Sequence, residues 1–124
     1  MTKREKLTPG SDHPIAVAPY SSEVVVTAGS RRIARTRSAL ILQEATYPPV
    51  YYIPREDVDM SLLERSEHTS YCPYKGDASY YSIPALGETG QNSAWTYEAP
   101  FDAVAGIKDH LAFYTDRVSV ELKD

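Results

Sequence analysis

The chain has a single cysteine and no long apolar segment, and these two shortages exclude several classes of protein. One cysteine in 124 residues forms neither an internal disulfide nor a zinc site built from several cysteines. The longest apolar runs, such as residues 39–42, are far shorter than the ~20 residues that cross a bilayer. The charged first six residues are followed by no apolar stretch, unlike a secretory signal. We expect one domain that is cytoplasmic and binds no membrane.

Charge of each sign is concentrated in a different part of the chain. Residues 1–37 carry seven basic and three acidic side chains (+4), and residues 38–124 carry six basic and fourteen acidic ones (−8), which together give the net charge of −4. Four arginines lie within residues 31–37. They indicate either an anion contact or a solvated edge strand, where charge prevents pairing with other molecules. Because the acidic remainder would repel a phosphate backbone, we expect no nucleic-acid partner.

Short β-branched and alternating segments, punctuated by glycine and proline, predict a mainly β fold. We expect an extended arm over residues 1–14 and, over residues 15–124, one compact antiparallel domain of the β-barrel or sandwich-like kind with one or two short helical turns. The turn Gly29-Ser30 predicts a hairpin, and the last two strands are expected to pair around residues 115–117. Strands are predicted at residues 23–28, 31–36, 39–44, 50–53, 68–72, 78–83, 93–98, 111–114 and 118–122, with helical turns within residues 55–65 and 100–107.

The densest cluster of reactive side chains lies in the segment CPYKG, residues 72–76. Pro73 disfavours a helical conformation for the residue before it and favours a turn that ends near Gly76. Such a turn brings the Cα atoms of Cys72 and Lys75 within roughly 7 Å of each other. Because a nearby ammonium favours the thiolate, Cys72 is predicted to be either a nucleophile or a buried and inert thiol.

No histidine is placed in the sequence to act with Cys72 or to bind a metal. Four residues of strand separate His68 from Cys72 by about 13 Å, which is too far for a hydrogen bond. A histidine base would have to be His13 or His110, brought from another part of the chain. Because the histidines and the cysteine show neither HxxxH nor CxxC spacing, we expect no metal and no cofactor.

Tyrosine is abundant, with ten copies against one tryptophan and two phenylalanines, and eight of the ten lie between Tyr47 and Tyr97. A buried tyrosine needs a partner for its hydroxyl. This density is therefore typical either of a pocket wall with hydroxyl donors or of amphipathic packing at the margin of a sheet.

Several segments together resemble an uncharacterised family, domain of unknown function 427, over roughly residues 12 to 122. The segments are residues 52–57, 69–81, 95–100 and 112–114, and the most specific of them contains CPYKG. The resemblance implies a compact β domain of the Mss4-like fold and no established activity. True Mss4-like proteins hold zinc through two cysteine pairs, so a chain with one cysteine does not inherit that site.

The first predicted function is binding of a small anionic or polar ligand in one pocket. Arg55 and Lys75 would hold its anionic group. Cys72 and Lys75 are the candidate catalytic residues, with Glu44 as a general base or as the partner of Arg55. The flat part of the ligand would be covered by Tyr52, Tyr81, Trp95 and Tyr97.

Two other functions are alternatives. In the first, the domain is a non-catalytic interaction or homodimer module, Lys75 pairs with a carboxylate and Cys72 belongs to the core. The second is nucleotidyl transfer, a label that the resembled family carries. The sequence pattern of nucleotidyltransferases is Gly-Ser followed shortly by Asp-x-Asp on a strand. Gly29-Ser30 and residues 57–59 contain those letters, and the carboxylates of Asp57 and Asp59 suit magnesium. However, the two segments are too far apart in the sequence, the first is predicted to be a hairpin turn, and the second is predicted to open a helical turn rather than to lie on a strand.

Overall fold

The computed structural model describes residues 5–123, which form ten strands and four short 3-10 helices. The strands are β1 (Ile15–Tyr20), β2 (Glu23–Ala28), β3 (Arg31–Thr36), β4 (Ala39–Glu44), β5 (Val50–Pro54), β6 (Glu64–Cys72), β7 (Gly76–Ser82), β8 (Ala94–Thr96), β9 (His110–Phe113) and β10 (Ser119–Lys123). The 3-10 helices are Arg55–Asp57, Met60–Leu62, Pro84–Gly90 and Asp102–Ile107. None of the helices in this described part is long and apolar enough to cross a membrane.

The strands form two antiparallel sheets. The larger has the order β1-β4-β5-β9-β8-β7-β6, and the smaller has the order β10-β2-β3. The larger sheet does not close, since its end strands β1 and β6 are not paired with each other. The prediction of a mainly β, antiparallel domain is confirmed, and the arrangement is sandwich-like rather than a closed barrel.

The hairpin of β2 and β3 forms as the sequence predicts. Gly29 turns the chain with a φ of +61°, a conformation that glycine adopts without steric cost. Val24 and Val26 of β2 are completely buried, and the burial of each contributes about 2 kcal/mol to folding. Strand β3 lies at an edge of the smaller sheet, where the guanidinium of Arg35 binds the carboxylate of Glu23 at 2.7 Å. The arginine-rich segment is thus an edge strand.

The predicted pairing of the last two strands is wrong. Strand β9 lies between β5 and β8 in the larger sheet, whereas β10 pairs with β2 in the smaller one. The carbonyl of Tyr114 accepts hydrogen bonds from the backbone of Arg117 and Val118, at 3.1 and 3.2 Å. This tight turn sends the chain from one sheet to the other. Alternation identified both strands, but it carries no information about their partners.

The predicted helical segment at residues 55–65 is two separate 3-10 turns followed by a strand. The side chain of Asp59 accepts a hydrogen bond from the backbone of Ser61 at 3.2 Å and so caps the second turn. Leu63 is extended, which ends that turn, and β6 begins at Glu64. The predicted helical turns are therefore present, as 3-10 turns, whereas β6 begins four residues before the predicted start of that strand.

Two hydrophobic cores cover the two faces of the larger sheet. We call the core between the sheets the inter-sheet core and the one on the opposite face the outer core. The outer core is closed by Val104 and Ile107 of the last 3-10 helix. Successive residues of β7 supply both cores, because Tyr80 points into the outer core and Tyr81 into the inter-sheet core.

The described part of the N-terminal arm lies on the turn between β6 and β7. The backbone of Leu7 donates to the carbonyl of Pro73 at 2.9 Å, and the hydroxyl of Tyr71 donates to the carbonyl of Glu5 at 2.6 Å. Gly10 and His13 form an antiparallel bridge within the arm. The same arm places His13 against Glu44 and Tyr74.

Candidate functional site

The CPYKG segment forms the turn that its proline predicts. Cys72 ends β6 and pairs with Gly76, the first residue of β7. The backbone of Lys75 donates to the carbonyl of Cys72 at 3.2 Å, which closes the turn. Gly76 has a φ of +110°, a backbone conformation that side chains with a Cβ rarely adopt.

Lys75 is buried, and its ammonium is directed at a carboxylate of the same chain. Only 8% of the residue is exposed, and Nζ donates to Oε1 of Glu44. The same Nζ lies 3.9 Å from Sγ of Cys72. Because the ammonium already has an anionic partner, Lys75 offers no uncompensated charge to an external anion.

Glu44 lies between two cationic or proton-donating groups. Its second oxygen, Oε2, is 2.7 Å from Nε2 of His13, and the ring of His13 stacks on Tyr74 with a centroid distance of 4.1 Å. Burial by itself would raise the pKa of Glu44, but the hydrogen bonds from Lys75 and His13 outweigh it and hold the pKa below its ordinary value of 4.5. We call His13, Glu44, Lys75 and Cys72 the charge cluster.

The charge cluster contains a histidine that the sequence did not assign to it. His13 reaches the cluster through Glu44 rather than through Cys72, so the cysteine and histidine do not form a direct pair. The sequence predicted His13 only as a base that another part of the chain would have to bring to Cys72. His110 binds the carbonyl of Lys108 instead, at 2.8 Å. A nucleophilic role for Cys72, which is half-buried, stays a prediction.

Tyr52 and Tyr97 belong to the outer core beside the charge cluster. Both are buried, and the hydroxyl of Tyr52 accepts a hydrogen bond from Nε1 of Trp95 at 3.3 Å. Burial raises the pKa of Tyr52 to about 12, and burial also raises the pKa of Tyr97. These tyrosines therefore serve as packed side chains that stay protonated at neutral pH.

Arg55 and Tyr81 lie away from the charge cluster. The hydroxyl of Tyr81 accepts a hydrogen bond from Nη1 of Arg55 at 3.0 Å, and Arg65 is the next donor at 3.5 Å. Tyr81 packs in the inter-sheet core, whereas Cys72 packs against the outer core. The structure thus brings Lys75 together with Glu44 and Cys72, beside the outer core that holds Tyr52, but it does not bring Arg55 and Lys75 to one concave site.

The carboxylates of the Asp-x-Asp segment already hold groups of the protein. Asp57 accepts a hydrogen bond from the hydroxyl of Thr36 at 2.6 Å, and Asp59 caps the turn that follows it. Within residues 5–123, no group of three or more histidine, cysteine, aspartate or glutamate side chains is arranged to hold a metal ion.

A cavity of about 410 Å³ opens where β5 begins and β9 ends. We call it the aromatic cavity. Both sheets line it. The smaller sheet contributes Val26, Val120 and Leu122, and the larger one contributes Tyr51, Ile53, Trp95 and Phe113. The remaining lining residues are Tyr47, Pro48, Pro49, Val50, Tyr114 and Thr115. Trp95 is the one predicted ligand-binding residue that lines it. Sequence reasoning missed the rest, although Pro48-Pro49 marks the rim.

Comparison with known families places nearly all of the chain in one of them. Residues 16–124 match the family model described as domain of unknown function (DUF427). No curated protein matches the chain. The Mss4-like fold implied by the resemblance stays a prediction.

Proposed function

Because this chain belongs to a family whose description names no activity, the domain of unknown function DUF427, we propose its function from the geometry: it binds a small, largely apolar ligand in the aromatic cavity. The observation that carries the proposal is a cavity whose walls are aromatic and aliphatic and whose volume suits a small molecule. Sites for small molecules usually enclose ~300–1,000 Å³ and are lined mainly by apolar side chains with a few polar groups. The aromatic cavity, at about 410 Å³, falls within that range.

Exposed apolar side chains gather around this cavity. Tyr47 is 59% exposed, Leu122 is 45% exposed and Tyr114 is 39% exposed, and they are the large hydrophobic residues classed as exposed among residues 5–123. All three line the aromatic cavity. Apolar groups that cluster at one concave place, rather than scattering over the surface, are typical of a binding site.

The same geometry favours an apolar ligand body over the anionic ligand predicted from the sequence. Lys75 is paired with Glu44, and Arg55 donates to Tyr81, which packs in the inter-sheet core. Among the residues that line the aromatic cavity, none is charged, and the polar groups are tyrosine and threonine hydroxyls and the Trp95 indole. A flat, mainly hydrocarbon molecule with one or two hydrogen-bonding groups fits this lining.

Trp95 provides a direct test, because it is the only tryptophan and it lines the cavity. Benzyl alcohol, a neutral aromatic probe, is expected to change the Trp95 fluorescence in a saturable way and to raise the melting temperature. Thr115→Phe places a ring in the cavity and should weaken binding roughly tenfold, a difference of about 1.4 kcal/mol. Thr69→Phe is the matched control, since Thr69 is exposed on β6 and does not line the cavity.

Two results would overturn the proposal. One is the absence of any saturable fluorescence change with neutral aromatic probes. The other is a dimer, detected by light scattering over a range of protein concentrations, that Thr115→Phe dissociates while no probe binds the monomer. That second result would instead support the homodimer function, with a second copy of the chain covering Tyr47, Tyr114 and Leu122.

A further inference from the structure

A second concave region lies directly beside the aromatic cavity and has the opposite character. We call this region of about 400 Å³ the polar cleft, and its lining includes His68, Tyr80, Glu88, Asn92 and Arg117. Tyr114 lines both the polar cleft and the aromatic cavity. The two regions therefore adjoin at one side chain.

Tyr114 contacts groups that belong to each of the two regions. Its ring centre is 4.6 Å from that of Trp95, which lines the aromatic cavity. The guanidinium of Arg117, which lines the polar cleft, lies 5.6 Å from the centre of the same ring. A molecule that touches Tyr114 can thus place an apolar part against Trp95 and a polar part near Arg117.

Arg117 supplies the positive charge of the polar cleft, and only some of the N–H donors of its guanidinium bind groups of the protein. Nη1 donates to the carbonyl of Gln91 at 2.6 Å and to the carbonyl of Thr89 at 3.4 Å, which fixes the position of the side chain. Within residues 5–123, no carboxylate forms an ion pair with Arg117 at 4 Å or less. A guanidinium carries five N–H donors, so further donors remain for a ligand.

The polar cleft also limits how much negative charge a ligand can carry. Glu88 lies in the same lining as Arg117 and contributes a charge of the opposite sign. A single carboxylate can bind the guanidinium in a forked geometry. A phosphate dianion would meet the additional repulsion of Glu88, in a protein whose net charge is already −4.

We propose that the ligand is an amphipathic organic acid. Its apolar body occupies the aromatic cavity, the middle of the molecule passes over Tyr114, and its carboxylate is bound by Arg117 in the polar cleft. This inference rests on the proposed function, because it assigns a head group to the ligand of the same cavity. It restores an anionic group to the ligand, as the sequence predicted, but it assigns that group to an arginine that the sequence did not single out.

Two probes that differ only in the head group test the inference. 3-Phenylpropionate carries a carboxylate, and 3-phenylpropanamide has the same body with a neutral head. Isothermal titration calorimetry at low salt should give a dissociation constant roughly fivefold smaller for the acid, which corresponds to one exposed ion pair of about 1 kcal/mol. The advantage should shrink in 0.5 M NaCl, because salt screens exposed charges.

Two charge-neutralising variants locate the carboxylate. Arg117→Gln should remove the difference between the acid and the amide while the amide keeps its affinity. Glu88→Gln should strengthen binding of the acid and leave the amide unchanged, because it removes a repulsion without adding a contact. Both side chains are exposed, so melting temperatures should verify that both variants fold.

The possible outcomes separate this inference from the proposed function. If the amide binds and the acid binds no more tightly, the proposed function stands and the organic-acid inference is wrong. If the acid binds more tightly but Arg117→Gln leaves its advantage intact, the assignment of the carboxylate to Arg117 is wrong. If neither probe nor benzyl alcohol binds, the proposed function itself fails.

Discussion

The ammonium of Lys75 binds the carboxylate of Glu44, although 31 residues and three intervening strands separate them in the larger sheet. Strands β4 and β7 are four strand spacings apart in that sheet, which would be about 19 Å if the sheet were flat. Two side chains cannot span that distance, so the sheet must curl around the outer core. The ion pair therefore depends on the curvature of the sheet, and it also stabilises that curvature.

Removal of one partner of this pair should destabilise the domain. Lys75→Met leaves the carboxylate of Glu44 in a half-buried place with only His13 beside it, and we expect a loss of about 2 kcal/mol in the free energy of unfolding. Lys75→Met combined with Glu44→Gln should recover part of that loss, with a coupling energy of about 1 kcal/mol. Urea unfolding of the four proteins measures the cycle. Strict additivity of the two single changes would contradict a pair that contributes to stability.

Acid should weaken the charge cluster in a defined pH range. The pKa of Glu44 is held below 4.5 in the folded protein, so the ionised carboxylate contributes stability above its unfolded pKa and loses it as the pH falls through the folded pKa. Between about pH 5 and about pH 3, wild type should therefore lose more free energy of unfolding than Glu44→Gln does. Denaturant titrations at each pH provide the measurement. Parallel pH profiles would show that the pKa of Glu44 is the same in both states.

Gly76 should not tolerate a side chain. Its φ of +110° is strained for any residue with a Cβ, and a Cβ there would lie 3.4 Å from the carbonyl of Ala99. Gly76→Ala should cost about 2 kcal/mol in the free energy of unfolding. Gly10→Ala is the matched control, because no heavy atom lies within 4 Å of its added Cβ and its φ is not positive. A similar effect of both substitutions on the urea midpoint would refute the conformational explanation.

The reactivity of Cys72 discriminates its two predicted roles. Since the thiol is half-buried and the neighbouring Lys75 is bound to Glu44, we expect a thiol reagent at pH 7 to modify Cys72 more slowly in the folded protein than in urea. The absorbance of the released chromophore gives both rates. Faster labelling of the folded protein, abolished by Lys75→Met, would instead support a nucleophile assisted by the lysine.

Local sequence patterns predicted most of the strands, and they did so at positions where one face or both faces must be buried. The bounds of β2, β3 and β4 agree with the prediction, because β-branched runs and the Gly29 turn are local signals. The same signals predicted helical turns within residues 55–65, which are present as two 3-10 turns, but they did not predict that β6 begins as early as Glu64. They also failed for the partner of β10, which lies more than 80 residues away in β2.

The candidate site was only partly predictable. The turn at Cys72 followed from Pro73 and Gly76, and the proximity of Lys75 to the thiol followed from the turn. The convergence of Arg55 and Lys75 did not follow from any local rule, and the two lie apart. No local sequence pattern predicted that Tyr47 and Tyr114 line a cavity, because a concave surface is formed by several strands together.

The sequence by itself determined that this is a small antiparallel β domain, that its one cysteine lies in a proline turn beside a lysine, and that its arginine-rich segment is a strand next to a glycine turn. These are consequences of backbone conformation and of periodicity over a few residues. The tertiary structure alone decided that Glu44 binds both Lys75 and His13, that Arg55 faces elsewhere, and that an aromatic cavity meets a polar cleft at Tyr114. Those facts depend on which strands are neighbours and how the sheet curls, and both are set by the burial of two cores across the whole chain.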